Sequence, residues 1–121
     1  MPLLTPASLA AAYDFLCLTP PFDRWKLPHS TSGEIGFRVG RDPALRGWFR
    51  SYRKGDRNQP TIVISSGVIG HTDSLFPTMA HEMLHYYEFR EGLETEGEHS
   101  ALFKRLAKRI CTIHGFDPLM F

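Results

Sequence analysis

The sequence contains no long hydrophobic run. None of its apolar stretches approaches the roughly 20 residues that a membrane-spanning helix needs. Its first residues, Met-Pro-Leu-Leu-Thr-Pro, have neither the charged start nor the apolar core of a signal peptide. A net charge of only +1 gives no general reason to expect nucleic acid as a partner. These absences predict a soluble, cytoplasmic protein with no membrane partner, which we take to be a monomer.

Cysteine is also scarce, because only Cys17 and Cys111 occur. They lie too far apart for a CxxC zinc ribbon, and each falls in an apolar pattern with helical spacing, so we expect two buried free thiols. The chain has 121 residues, which suffice for one hydrophobic core but not for two. We therefore expect residues 1–121 to form a single domain.

Hydrophobic periodicity predicts three helices and a small three-stranded sheet, and hence an α+β fold. The first helix should run from Pro6 to Leu18, because Thr5 is a good N-cap and the prolines after Thr19 end the pattern. Three alternating or β-branched segments are typical of strands: Ile35 to Gly40, Trp48 to Arg53 and Thr61 to Ser66. Since a short link joins the first two, we expect them to pair antiparallel, which gives a mostly antiparallel sheet.

Two longer helical patterns follow. The second helix is predicted to have Ser74 as its N-cap and to end before Gly92. Pro77 is then in the first turn of the helix, where the backbone needs no hydrogen-bond donor. The third helix is predicted from His99 to His114 and is closed by a glycine. The residues on its inward face would be Leu102, Phe103, Leu106, Ile110 and Ile113.

The second helix contains the pattern His81-Glu82-Met83-Leu84-His85. Residues four apart share a helical face, so His81 and His85 can direct their imidazoles at one point, a spacing that suits Zn²⁺. Glu82 is then placed beside the ion as a general base rather than as a ligand. The pattern indicates a zinc hydrolase, with a peptidase as the first hypothesis. The alternative is an amphipathic helix that carries two surface histidines.

A catalytic zinc site usually takes three protein ligands and leaves the fourth position for water. His99 lies one turn before Phe103 on the inward face of the third helix, which makes it the first candidate for the third ligand. A hydrogen-bonded helix-terminal histidine is the alternative. The acidic link offers a second possible ligand set: Glu94, Glu96 and Glu98. A metzincin site is excluded, since Glu88 and Glu91 stand where it requires Gly and His.

These residues resemble the SprT-like family of zinc metallopeptidases, which includes the Spartan protease domain. The family pattern is HExxH, a short link, and His-Gly-x-x-Phe at the start of the next helix; here His99-Ser100-Ala101-Leu102-Phe103 follows. Ser100 replaces the usual Gly, and Ser65-Ser66-Gly67 replaces the usual Asn-Pro after the preceding strand. The resemblance covers most of the chain. It implies a zincin-like fold, with an active cleft between the helices and the sheet and an exposed edge strand for an extended peptide.

The resemblance further implies a zinc metalloendopeptidase with His81, His85 and His99 as ligands and a protein or peptide as substrate. Glu82 would accept the proton of a zinc-bound water and pass it to the leaving amine. A donor for the oxyanion is also expected. Its candidates, which packing or surface roles also explain, are Tyr86, Tyr87 and His71.

Two basic clusters make a DNA-associated substrate and weak DNA association a further expectation from the resemblance. One cluster, near the second strand, comprises Arg50, Arg53, Lys54 and Arg57. The other, on the outer face of the third helix, comprises Lys104, Arg105, Lys108 and Arg109. Solvated surfaces explain the same charges.

Two other functions stay open: a catalytically inactive zinc-stabilised binding or adaptor module, and a nucleic-acid-binding domain whose metal is incidental. Glu82 favours the peptidase over the first, because a structural zinc site has no use for a general base. The near-neutral net charge disfavours the second.

Overall fold

The computed structural model of the chain describes residues 4–50, 59–66, 72–93, 99–119 and 121. The helices and strands within these ranges are α1 (Pro6–Cys17), β1 (Gly36–Gly40), β2 (Gly47–Arg50), β3 (Thr61–Ser65), α2 (Thr72–Arg90) and α3 (Ala101–His114). The predicted α+β class, with three helices and a three-stranded sheet, is therefore confirmed for the described part of the chain. None of these helices combines the length and the apolarity needed to cross a membrane.

The sheet is mixed, with strand order β1-β3-β2. β3 pairs in parallel with β1 and antiparallel with β2, so the first two strands do not pair with each other. The prediction of a mostly antiparallel sheet built on a β1–β2 pair was wrong. The reason is burial: β3 carries Ile62, Val63 and Ile64, which are all at most 1% exposed. A continuous apolar run that is covered on both faces belongs at the centre of a sheet.

β2 begins one residue earlier than predicted, at Gly47, and its described part ends at Arg50. The rest of that predicted strand lies in residues 51–58, outside the described residues. Several residues with a predicted role fall outside them as well: Arg53, Lys54, Arg57, His71, Glu94, Glu96 and Glu98.

α2 lies at the centre of the hydrophobic core. It packs against α1, against α3 and against the strands β2 and β3. Its buried side chains point in several directions around the helix: Leu75, Met79, Ala80, Met83, Leu84 and Tyr86. A helix surrounded in this way is stabilised by tertiary burial more than by its own propensity.

The start of α2 differs from the prediction. The helix begins at Thr72 and not after a cap at Ser74, so Pro77 is its sixth residue. Because proline has no N–H, the helix gives up one backbone hydrogen bond there. Burial of Leu75 and Met79 on either side of Pro77 outweighs that loss.

The start of α3 also differs. The helix begins at Ala101, with Ser100 as the N-cap whose side chain accepts a hydrogen bond from the backbone N–H of Phe103. His99 therefore precedes the helix instead of opening it. Ile113, predicted to face the core, is 42% exposed. Both cysteines are free thiols, as predicted. Cys111 is buried, whereas Cys17 is only half-buried.

α1 has the predicted cap and buried face. Thr5 and Ser8 form a reciprocal capping box. Leu9, Tyr13 and Leu16 are buried, and the Tyr13 hydroxyl donates to the carbonyl of Pro28 at 2.6 Å. This bond ties the loop before β1 to the helix.

Two leucines of this region give a matched test of the fold. Leu16 is 1% exposed, whereas Leu18 is 81% exposed. We expect Leu16→Ala to lower the free energy of unfolding by about 2–5 kcal/mol, because it leaves a cavity in the core. Leu18→Ala should change it by no more than about 0.5 kcal/mol. Urea unfolding measures both, and equal effects would contradict the packing of α1.

Candidate metal centre

Two neighbouring elements bring three histidines together. α2 places His81 and His85 one turn apart, with ring centroids separated by 5.0 Å. The residue before the N-cap of α3, His99, has its ring centroid 5.0 Å from His81 and 5.2 Å from His85. One possible ligand atom from each histidine lies within 4.8 Å of the other two. The structure thus gathers the three predicted ligand residues at one point.

Phe103 contacts all three imidazoles. Its ring stacks on His99 at 4.1 Å with an interplanar angle of 9°, and its centroid lies 4.6 Å from His85 and 5.1 Å from His81. Phe103 is buried, so it forms a rigid wall under the histidines. His99 is exposed, and this stacking holds its ring beside the others.

The first two histidines are held in the neutral form. Burial is the largest cause that lowers the pKa of His81 to about 3, and the nearby His85 and His99 are the other two. Burial lowers the pKa of His85 to about 4, with His99 as the second cause. Both imidazoles therefore keep a lone pair at neutral pH, which is the form that binds a metal ion.

Glu82 lies against this cluster with its carboxyl group out of water. Glu82 is 4% exposed, and this burial raises the pKa of its carboxyl group to about 8. Oε1 of Glu82 lies 3.8 Å from Nε2 of His81. Within the described residues, Oε2 of Glu82 and Nδ1 of His81 are buried atoms without a hydrogen-bond partner. Because such an atom costs about 1–3 kcal/mol, both atoms point to a missing partner.

A zinc ion fits this set of residues. Three imidazoles are nitrogen donors of the kind that catalytic zinc sites use, and a fourth position is left for water. With Zn–N bonds of 2.0–2.1 Å, tetrahedral geometry places ligand nitrogens about 3.4 Å apart. The observed spacing of up to 4.8 Å therefore requires the rings to close by small rotations. A water bound to the cation would also supply the kind of partner that Oε2 of Glu82 lacks.

The two tyrosines proposed as oxyanion donors have packing roles in the structure. The hydroxyl of Tyr86 donates to the carbonyl of Glu34 at 3.4 Å, and Tyr87 stacks on Trp25 with centroids 4.2 Å apart. These contacts match the alternative that the sequence left open for them.

Two cavities flank His81. The cavity beside Glu82 has a volume of about 300 Å³, and its lining includes Arg46, Gly47 and Thr78. The other, of about 250 Å³, lies against α3, and its lining includes Phe103, Lys104 and Lys108. His81 and Phe121 line both, and their rings are 5.2 Å apart. His81 therefore lies between two cavities, one beside Glu82 and one against α3.

Arg46 and Phe121 were not anticipated as site residues. Arg46 lies in the segment between β1 and β2, and Phe121 follows α3. Neither residue stands at a characteristic sequence spacing from the histidines. Both line a cavity with His81 only because of the tertiary fold, so no local sequence pattern could have predicted them.

Comparison of the chain with protein-family models, with curated proteins and with solved structures finds no match in any of the three. The resemblance to SprT-like peptidases therefore stays a prediction from the sequence, and the residues specific to it are those of the site.

We expect the purified protein to bind one zinc ion per chain. His81→Ala, His85→Ala and His99→Ala should each weaken binding by more than the roughly 10–100-fold that loss of an outer partner costs, since each removes a ligand. Competition with a chromophoric chelator measures the affinity. His29→Ala is the matched control, because His29 is an exposed histidine that pairs with Asp14. Unchanged affinity in His99→Ala would remove it from the ligand set.

The raised pKa of Glu82 predicts that zinc binding releases a proton from its carboxyl group. At pH 7 the metal-free Glu82 carboxyl is mostly protonated, whereas His81 and His85 carry no extra proton. A bound dication favours the carboxylate, so zinc binding at pH 7 should release about one proton from Glu82. At pH 9, above its pKa of about 8, this release should disappear.

Calorimetric titration with zinc in two buffers of different ionisation enthalpy counts the protons. Glu82→Gln should release about one proton fewer than the wild type at pH 7, and the same number at pH 9. Equal release from both proteins at pH 7 would contradict the protonated state of Glu82.

Proposed function

We propose that the protein is a zinc-dependent metalloendopeptidase of the SprT-like type, with a zincin-like fold. The observation that carries the proposal is the convergence of His81, His85 and His99 beside the buried carboxyl of Glu82. Among the described residues, no other group of histidine, cysteine or acidic side chains could hold a metal ion, and none adds a fourth ligand to this one. An open fourth position is typical of catalytic rather than structural zinc.

A zinc ion held by the three histidines would polarise the scissile carbonyl and lower the pKa of water. Glu82 takes the proton of the attacking water and passes it to the nitrogen of the leaving amine. Its burial supports this role, because a carboxyl with a pKa near 8 is far more basic than an exposed one. Proximity to a cation lowers that pKa, which brings it toward the operating pH that a general acid–base catalyst needs.

β2 is the proposed binding edge for an extended substrate. It pairs with β3 on one side, and no strand of the described residues covers its other side. Gly47 packs so closely that a Cβ there would lie 2.8 Å from the Val63 carbonyl oxygen and 3.2 Å from Cγ2 of Thr78. Since Gly47 and Glu82 line the same cavity, a peptide added to this edge would pass the site.

The basic face of α3 supports a DNA-associated protein as the proposed substrate. Lys104, Arg105, Lys108 and Arg109 are all exposed, and Lys104 and Lys108 line the cavity beside His99. The positive face therefore adjoins the cavity that His81 and His99 line.

Glu82→Gln tests the proposed chemistry. We expect it to lower the rate of peptide-bond cleavage by roughly 10²–10⁴-fold, because the general base is lost, while zinc stays bound. Cleavage of a mixture of denatured proteins, followed by mass spectrometry of the new N-termini, measures the rate, and elemental analysis checks the zinc. Glu91→Gln is the control, since this exposed glutamate follows the end of α2.

Unchanged cleavage in Glu82→Gln would reject the role of Glu82. A zinc-loaded wild-type protein that cleaves nothing in the mixture would instead favour the inactive binding or adaptor module.

A further inference from the structure

Glu88 is a buried carboxylate that the proposed chemistry does not use. It lies on α2, three residues after His85, and is 2% exposed. Its Oε1 lies 3.8 Å from Nδ1 of His85, and its Oε2 accepts a hydrogen bond from the hydroxyl of Ser100 at 3.1 Å. Because a buried carboxyl is costly without partners, these two contacts account for its position.

The hydroxyl of Ser100 joins the two helices. It accepts a hydrogen bond from the backbone N–H of Phe103 at 3.0 Å, which caps α3, and it donates to Glu88 on α2. His99 is the residue before this cap, and its ring stacks on Phe103. The bond between Glu88 and Ser100 therefore fixes the place of His99 relative to α2.

The contact with His85 acts on the second ligand. An imidazole has two ring nitrogens, and a proton on Nδ1 that faces a carboxylate leaves the lone pair on Nε2. At 3.8 Å the two atoms are too far apart for a hydrogen bond, and a turn of the His85 ring toward Glu88 would be needed to form one. Glu88 thus favours one tautomer and one orientation of His85.

We propose that Glu88 is a positioning residue for the metal centre, acting on His85 directly and on His99 through Ser100. The inference rests on the metal site of the proposed function but not on peptide hydrolysis. A glycine at the position of Ser100, as in the family that the sequence resembles, has no hydroxyl with which to make this link.

Zinc affinity, measured by chelator competition, tests the proposal. Glu88→Ala should bind zinc roughly 10–100-fold more weakly, which is the usual effect of losing an outer-shell partner. Glu88→Gln should recover most of the affinity, because its amide oxygen can still accept from His85 while its NH₂ donates to Ser100. Ser100→Ala should weaken binding, and the double variant should lose less than the sum of the two single losses. Glu91→Ala is the matched control and should bind as the wild type does.

A second readout is independent of zinc. Long-range ¹H–¹⁵N NMR of the metal-free protein reports which nitrogen of His85 carries the proton. We expect Nδ1 in the wild type and in Glu88→Gln, and a shift toward Nε2 in Glu88→Ala. A role limited to stability would lower the unfolding temperature of Glu88→Ala without moving this tautomer.

Wild-type zinc affinity in Glu88→Ala, or an equal loss in Glu88→Gln, would overturn the proposal. A proton on Nε2 of His85 in the wild type would overturn it as well, even if Glu88→Ala does not fold. Failure of the peptidase assignment would look different, because zinc affinities and tautomers would follow this pattern while no substrate is cleaved.

Discussion

The packing of α3 against α2 is the interaction on which the site depends. Phe103 carries it, because this single buried ring contacts His81, His85 and His99. Burial within the fold removes water from His81, His85 and Glu82, which lowers the pKa of the two histidines and raises that of Glu82.

Polar groups are tolerated in this core because they are mostly uncharged without a metal ion. Neutral imidazoles and a protonated Glu82 carry far smaller desolvation costs than the ionised forms would. A dication would change the balance, because it would coordinate the imidazoles and favour the carboxylate. Metal binding would thus be coupled to the protonation of Glu82.

The order of the strands brings β2 to the cavity beside Glu82. With β3 in the centre, β2 becomes an edge strand that packs next to α2. The close fit of Gly47 against Val63 and Thr78 brings this edge to the cavity that Glu82 lines.

Two local features could be predicted from the sequence alone: the capped face of α1 and the i, i+4 pair of His81 and His85. These follow from helical periodicity and capping chemistry, which act over a few residues. His99 was predicted as the third ligand from a helix that included it and from the family resemblance, whereas in the structure it precedes α3 and stacks on Phe103. Only tertiary packing explains the mixed sheet, the tolerance of Pro77 inside α2 and the contact between Glu88 and Ser100. Each of these depends on burial or on residues far apart in the chain, and no spacing pattern encodes such energies.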